Sequence, residues 1–141
     1  MNCTKSRGQH GFTLIETMVT ILILSVGLLG FAGLLTKSIV ANRQAYYRSQ
    51  ATFLAHDIAE RMRANRVEAV AGGYNTALNS AVSTTSFAGE DMAGWKTNVA
   101  DYLPEGDAVV SVDTLGNVGV VIHWNDANDG TSKSFTTQTT I

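Results

Sequence analysis

A single cysteine, Cys3, stands in this sequence. No disulfide can close within the chain, and any folded part must hold together by packing alone. Cys3 also lacks the apolar run ahead of it that a lipoprotein signal supplies. Proline is equally scarce: the only one is Pro104, so nothing earlier forces a helix to stop. Charge is missing from Thr17 to Thr36, where no acidic or basic side chain occurs. Basic residues nearly vanish later, since positions 67 to 141 hold only Lys96 and Lys133 against nine acids. Phosphate contacts need a basic surface, so direct nucleic-acid binding by that acidic part is not expected.

The residue sets that carry enzyme chemistry are also missing. His56 beside Asp57 is the nearest approach to an acid-base pair, but neighbours on a helix point about 100° apart and no nucleophile accompanies them. "NDANDG", Asn125 to Gly130, has the look of a calcium loop; counted from Asn125, Ala127 falls where a ligand is needed and Thr136 where the bidentate glutamate belongs, so a hairpin loop is expected. No metal cluster, phosphate loop or cofactor motif is read from the chain, and a non-enzymatic role is expected.

What the sequence does contain is an apolar run. The 20 uncharged positions from Thr17 to Thr36 would span roughly 30 Å as a helix, the thickness of a bilayer's hydrocarbon core. A cleavable secretory signal has a shorter apolar region and a small-x-small site after it, whereas here Lys37 follows directly. Lys5, Arg7 and His10 precede the run with no acid among them. That bias predicts a cytoplasmic N-terminus and a single pass, with the remaining residues exported.

Beyond the apolar run, Tyr47, Ala51, Leu54, Ala55, Ile58 and Met62 recur at helical spacing and form one apolar face. Asp57 with Arg61, and Glu60 with Arg63, add pairs at helical spacing. The helix is predicted from Phe12 to about Arg66, about 80 Å at the standard rise. Gly27, Gly30 and Gly33 recur within it, which suits either close helix packing or a weak zone. Positions 67 to 89 are rich in small polar residues and predict a loop with at most a short helical turn. Met92, Trp95, Val99, Tyr102 and Leu103 then fall on one helical face, closed by Pro104 and Gly106. Alternation predicts strands over Ala108 to Asp113, Val118 to Trp124 and Phe135 to Ile141, with a turn at Gly116 and Asn117. The expected architecture is α+β, a small antiparallel sheet of three or four strands packed on the helix, with Trp95 and Trp124 buried against Leu54, Ile58 and Met62. Arg43, Arg48, Arg61, Arg63 and Arg66 are available either to acidic groups on other subunits or to solvent.

One acid interrupts the start of the apolar stretch. Glu16 costs a few kcal/mol if inserted unless it snorkels to the headgroups or finds a cation. It ends "GFTLIE", Gly11 to Glu16, which sits between the basic leader and the apolar helix. That arrangement resembles the type IV prepilin signature. The resemblance implies cleavage between Gly11 and Phe12 by a prepilin peptidase, N-methylation of Phe12, and a role for Glu16 in assembly through the N-terminal amine of a neighbouring subunit. It divides the chain into a cleaved leader at 1-11, the transmembrane part of the helix at 12-36, its amphipathic exported part at 37-66 and a periplasmic head at 67-141, in a type IV pilin fold.

"SQATFLAHDIAERMRANR", positions 49 to 66, with Trp95, "YLPEG" and "VVIHW", is similar to the PilV-type minor pilins. The implied function is that of a minor pilin, a structural subunit that helps initiate or modify pilus biogenesis for motility or adhesion. Its implied partners are the major and other minor pilins, the inner-membrane assembly platform and membrane lipid. Its implied location is the bacterial inner membrane, and the cell-surface pilus after assembly. Two alternatives stand at this point: a minor pseudopilin of a type II secretion system, which shares the first segment, and a single-pass protein with a periplasmic ligand-binding domain, in which "GFTLIE" arises by chance.

Overall fold

The computed structural model describes residues 11–126 and 130–141. Helix α1 spans Leu14–Ala64, α2 Arg66–Val70 and α3 Phe87–Tyr102; strands β1 Asp107–Val112, β2 Asn117–Asn125 and β3 Ser132–Thr140 follow. The chain divides into two compact units, Met1–Ile39 and Val40–Ile141.

In the first unit, α1 is apolar on all sides and none of its residues is buried. Several of the hydroxyls it carries are spent internally: Thr20, Ser25 and Thr36 donate to the carbonyls of Glu16, Ile21 and Ala32 at 2.7, 2.7 and 3.0 Å. Such back-bonding hides polar atoms from hydrocarbon. This helix is long and apolar enough to cross a membrane. Helical geometry persists through Gly27, Gly30 and Gly33, and no atom lies within 4 Å of where a β-carbon would sit on any of them. Close packing at these glycines therefore has no partner among the described residues.

The second unit joins the later turns of α1 to the sheet. Ala51, Leu54, Ala55, Ile58 and Met62 are buried on α1, Tyr47 is partly buried, and all six belong to one core with Trp95, Val99, Val110, Val120, Ile122 and Trp124. The spacing seen in the sequence is thus the face that packs. The α+β expectation is met with three strands, antiparallel, in the order β1-β2-β3. Alternation reads through directly: Val118, Val120, Ile122 and Trp124 of β2 face the core. On β3 the inward residues, Phe135, Thr137 and Thr139 among them, are only half-buried, as suits an edge strand. Gly116, at φ +85°, closes the turn between β1 and β2, a conformation that L side chains rarely adopt.

Several local expectations are corrected. Helix α1 ends at Ala64 because Asn65, at φ −123° and ψ 52°, leaves the helical region before α2 starts. The stretch after Arg66 is more ordered than its composition suggests, since α2 occupies Arg66–Val70, Tyr74 is fully buried and Thr76 pairs with Val110. Helix α3 begins at Phe87, where the Ser86 hydroxyl accepts from the Gly89 amide at 3.1 Å. Gly89 itself admits the backbone of Ser83, whose carbonyl oxygen would lie 1.8 Å from an added β-carbon. Tyr102 does not join the buried face and is 53% exposed. It is the last residue of α3; the backbone turns extended at Leu103 and carries that side chain into the core instead.

Because residues from α1 complete this core, a fragment of residues 67–141 loses one wall of it. A fragment of residues 40–141 is expected to unfold cooperatively in urea, and 67–141 to show no cooperative transition. Equal stability of the two would contradict the packing.

Candidate functional site

Gly11, Phe12 and Thr13 lie outside the helix and are exposed; Phe12 is 84% accessible, and nothing crowds the α-carbon of Gly11. The chain becomes helical at Leu14 because Thr13 caps it. Its hydroxyl accepts from the Glu16 amide at 3.4 Å, and its carbonyl accepts the Thr17 amide at 3.2 Å. Thr13 and Glu16 occupy the first and fourth positions of a capping box, a signature legible in "TLIE" that the sequence reading passed over. The helix therefore starts just past the Gly11–Phe12 peptide and leaves it non-helical and exposed. Glu16 is exposed on the first turn, near the positive end of the helix dipole. Its carboxylate has no hydrogen-bond or ion-pair partner among the described residues. The leader residues Cys3, Lys5, Arg7 and His10, and Ala127 of the "NDANDG" loop, lie outside the described residues.

Away from this end, polar locks fix the second unit. Most of the arginines offered to other subunits are occupied at home. Arg61 bonds Asp57 at 3.0 Å and also Asp91, whose other oxygen accepts the Tyr74 hydroxyl at 3.2 Å. The hydrogen bond that Arg61 donates to Asp57 leads the effects that raise the Arg61 pKa, and with the others it outweighs desolvation. Arg63 pairs with Glu60 and reaches Thr139 Oγ1 at 2.9 Å, and Arg66 Nε donates to the Ile141 carbonyl at 2.8 Å. Arg43 approaches Asp126 at 3.8 Å, beside a 2.8 Å bond from Gln44 to the same carboxylate. Only Arg48 of the five has no side-chain partner among the described residues. His56 is exposed, while Asp57 is committed to Arg61, so the pair is not assembled for acid-base work.

The loop before α3 has its own anchor. Lys96 bonds Asp107 at 2.8 Å and the carbonyls of Ala77 and Ser80, each at 3.3 Å, while the Asn79 amide donates to Asp107 at 2.6 Å. Burial alone would push the Asp107 carboxyl up, but bonds from Asn79, Lys96 and Ala108 together hold it below the usual carboxylate range. A depressed pKa gives stability that is complete above the unfolded value, near 3.9, and is lost as pH falls through the lower folded value. Acid titration of the 40–141 fragment should show this loss below about pH 4, and Asp107→Asn should flatten that segment of the profile while lowering stability at neutral pH. An unchanged acid limb in Asp107→Asn would count against the anchor.

Among the described residues, no group of three or more histidine, cysteine, aspartate or glutamate side chains is placed to hold a metal ion. The geometry defines a class: one apolar helix of membrane length, preceded by an accessible Gly-Phe peptide, whose later turns are core to an α+β unit. Comparison narrows it. A family model described as the prokaryotic N-terminal methylation motif matches residues 6–32, and one described as type IV pilin Tt1218 continues over residues 33–102. The chain belongs to the type IV pilin family. No curated protein and no solved structure matches it. The family is structural rather than enzymatic, and its methylation motif implies processing by a prepilin peptidase and assembly with other pilins.

Proposed function

We propose that this pilin is a minor subunit of the PilV type, processed between Gly11 and Phe12, methylated on Phe12 and inserted into a type IV pilus to initiate or modify its assembly. The observation that carries the reading is the exposed, non-helical Gly11–Phe12 peptide set immediately before the Thr13 cap, Glu16 and a membrane-length helix. Cleavage there turns Phe12 into a cationic amine four residues from Glu16. Two such groups on neighbouring subunits satisfy each other where neither can be hydrated. Before assembly the helix holds the subunit in the inner membrane, leader in the cytoplasm and folded unit in the periplasm. There its partners are the peptidase, membrane lipid and the assembly platform; after assembly they are major and other minor pilins. The match of residues 33–102 to a type IV pilin favours the pilus over a secretion pseudopilus.

Shearing pili from cells and blotting for this chain tests the role. It should be present in the sheared fraction in far smaller amount than the principal pilin, and its deletion should reduce piliation. Absence from sheared pili, or abundance equal to the principal pilin, would contradict a minor-subunit role.

A further inference from the structure

The two edges of the sheet are treated differently. On β1 the residues that turn their backbone outward are Ala108, Val110 and Val112, because Asp113 donates inward to Asn117 and direction alternates along a strand. All three outward amides are occupied: Ala108 by Asp107 Oδ1 at 2.7 Å, Val110 by the Thr76 carbonyl at 3.3 Å, and Val112 by Asn75 Oδ1 at 2.7 Å. That edge is closed.

On β3 the inward donor is Ile141, which bonds the Gly116 carbonyl at 2.9 Å. Ser134, Thr136, Gln138 and Thr140 therefore point their backbone groups outward. None of these four amides has a hydrogen-bond partner among the described residues. Two of the devices that normally protect an edge, a proline and a bulge, are missing as well. The strand has no proline, it pairs with β2 in unbroken register from Asn117↔Thr140 to Asn125↔Ser132, and its one charged residue, Lys133, is on the half-buried side.

The flank of α1 beside this edge is basic. Arg63 reaches Thr139 Oγ1 and the Thr140 carbonyl. Arg48, Thr52 and His56 lie on the same side of the helix as Arg63, at spacings of four, four and seven. Arg48 and His56 are exposed, and neither side chain has a partner among the described residues.

We propose that the open edge of β3 is a strand-addition site for an extended, acidic segment of another protein, which pairs with the backbone of Ser134 to Thr140 and turns its carboxylates toward Arg48, His56 and Arg63. A second copy of this chain is a poorer occupant. Its β3, "SKSFTTQTT", contains no acid, and its β1 edge is already closed. The site needs only the folded second unit and holds whether or not the chain enters a filament.

The test uses the full-length protein in detergent micelles and a capped nine-residue peptide of alternating glutamate and valine. Amide exchange by NMR should slow at Ser134, Thr136, Gln138 and Thr140, with the β1 amides unchanged. The lysine-valine counterpart, and a glutamate-valine peptide N-methylated on the pairing amides, should each bind at least about tenfold more weakly. Gln138→Pro should abolish binding without changing the thermal midpoint, because that amide is not used in the sheet. Arg48→Glu should weaken the glutamate peptide about tenfold and strengthen the lysine one. Absence of protection at the four amides would overturn the proposal, as would equal binding of the two charged peptides or indifference to Arg48→Glu. Tighter binding of a peptide with the β3 sequence would assign the edge to a second copy and overturn the acidic occupant.

Discussion

Replacing Trp95 with alanine should destabilise the 40–141 fragment by about 3–5 kcal/mol, the usual cost of emptying a large aromatic site in a core. Trp95 is fully buried between α3 and α1, and its indole Nε1 donates to the Leu54 carbonyl at 2.9 Å. Two losses therefore coincide: the packed volume and the one hydrogen bond that ties the side chain of α3 to the backbone of α1. They can be separated. Trp95→Phe restores most of the volume but not the donor, and because Leu54 sits inside a helix its carbonyl retains a helical partner, so this change should cost about 1–2 kcal/mol beyond the small volume deficit. Urea unfolding followed by far-UV circular dichroism measures both variants without relying on tryptophan fluorescence. Against a total stability of about 5–15 kcal/mol for a domain of this kind, that is a large share of the margin, and the alanine variant should unfold at a clearly lower urea midpoint. A loss below about 1 kcal/mol for Trp95→Ala would mean that the site collapses freely and that α3 is not held through this residue.

Glu16→Gln should separate residence in the membrane from use in the filament. Glutamine keeps the shape and the hydrogen-bonding capacity but lacks the charge, so insertion becomes easier while attraction to a cationic Phe12 amine on a neighbour disappears. The Thr13 cap survives, because the bond there comes from the backbone amide of residue 16 rather than from its carboxylate. Cleavage and membrane level should therefore match the unchanged protein. Incorporation should fall well over tenfold, since a buried charge left without its partner costs about 3–5 kcal/mol. Immunoblots of sheared pili against membrane fractions read the ratio directly. Equal incorporation would show that Glu16 is tolerated by snorkelling alone, and lost cleavage would assign it to recognition by the peptidase.

The parts of this molecule that follow a local period were legible in the sequence. The buried face of α1 from Ala51 to Met62 repeats at helical spacing, and the inward residues of β2 alternate, so both could be read without knowing what they touch. Tyr74 could not be read in this way. It lies in a stretch with no sustained pattern, and its hydroxyl finds its partner on Asp91, 17 residues away. Among the arginines, the Asp57–Arg61 and Glu60–Arg63 pairs were legible from spacing, whereas the partners of Arg63 and Arg66 on β3 and at Ile141, 76 and 75 residues distant, were not. Tyr102 had the right spacing in the wrong place, because a period says nothing about where a core ends. The Thr13 cap is a different matter: its signal is entirely local and stood in "TLIE" beside the prepilin resemblance.

The central claim is that this chain matures by losing its leader at Gly11, and the mass of the protein isolated from its native membrane tests it most directly. A chain that begins at Phe12 and carries one added methyl group on its N-terminal amine is the predicted result. A chain that still carries the residues up to Gly11 would contradict it.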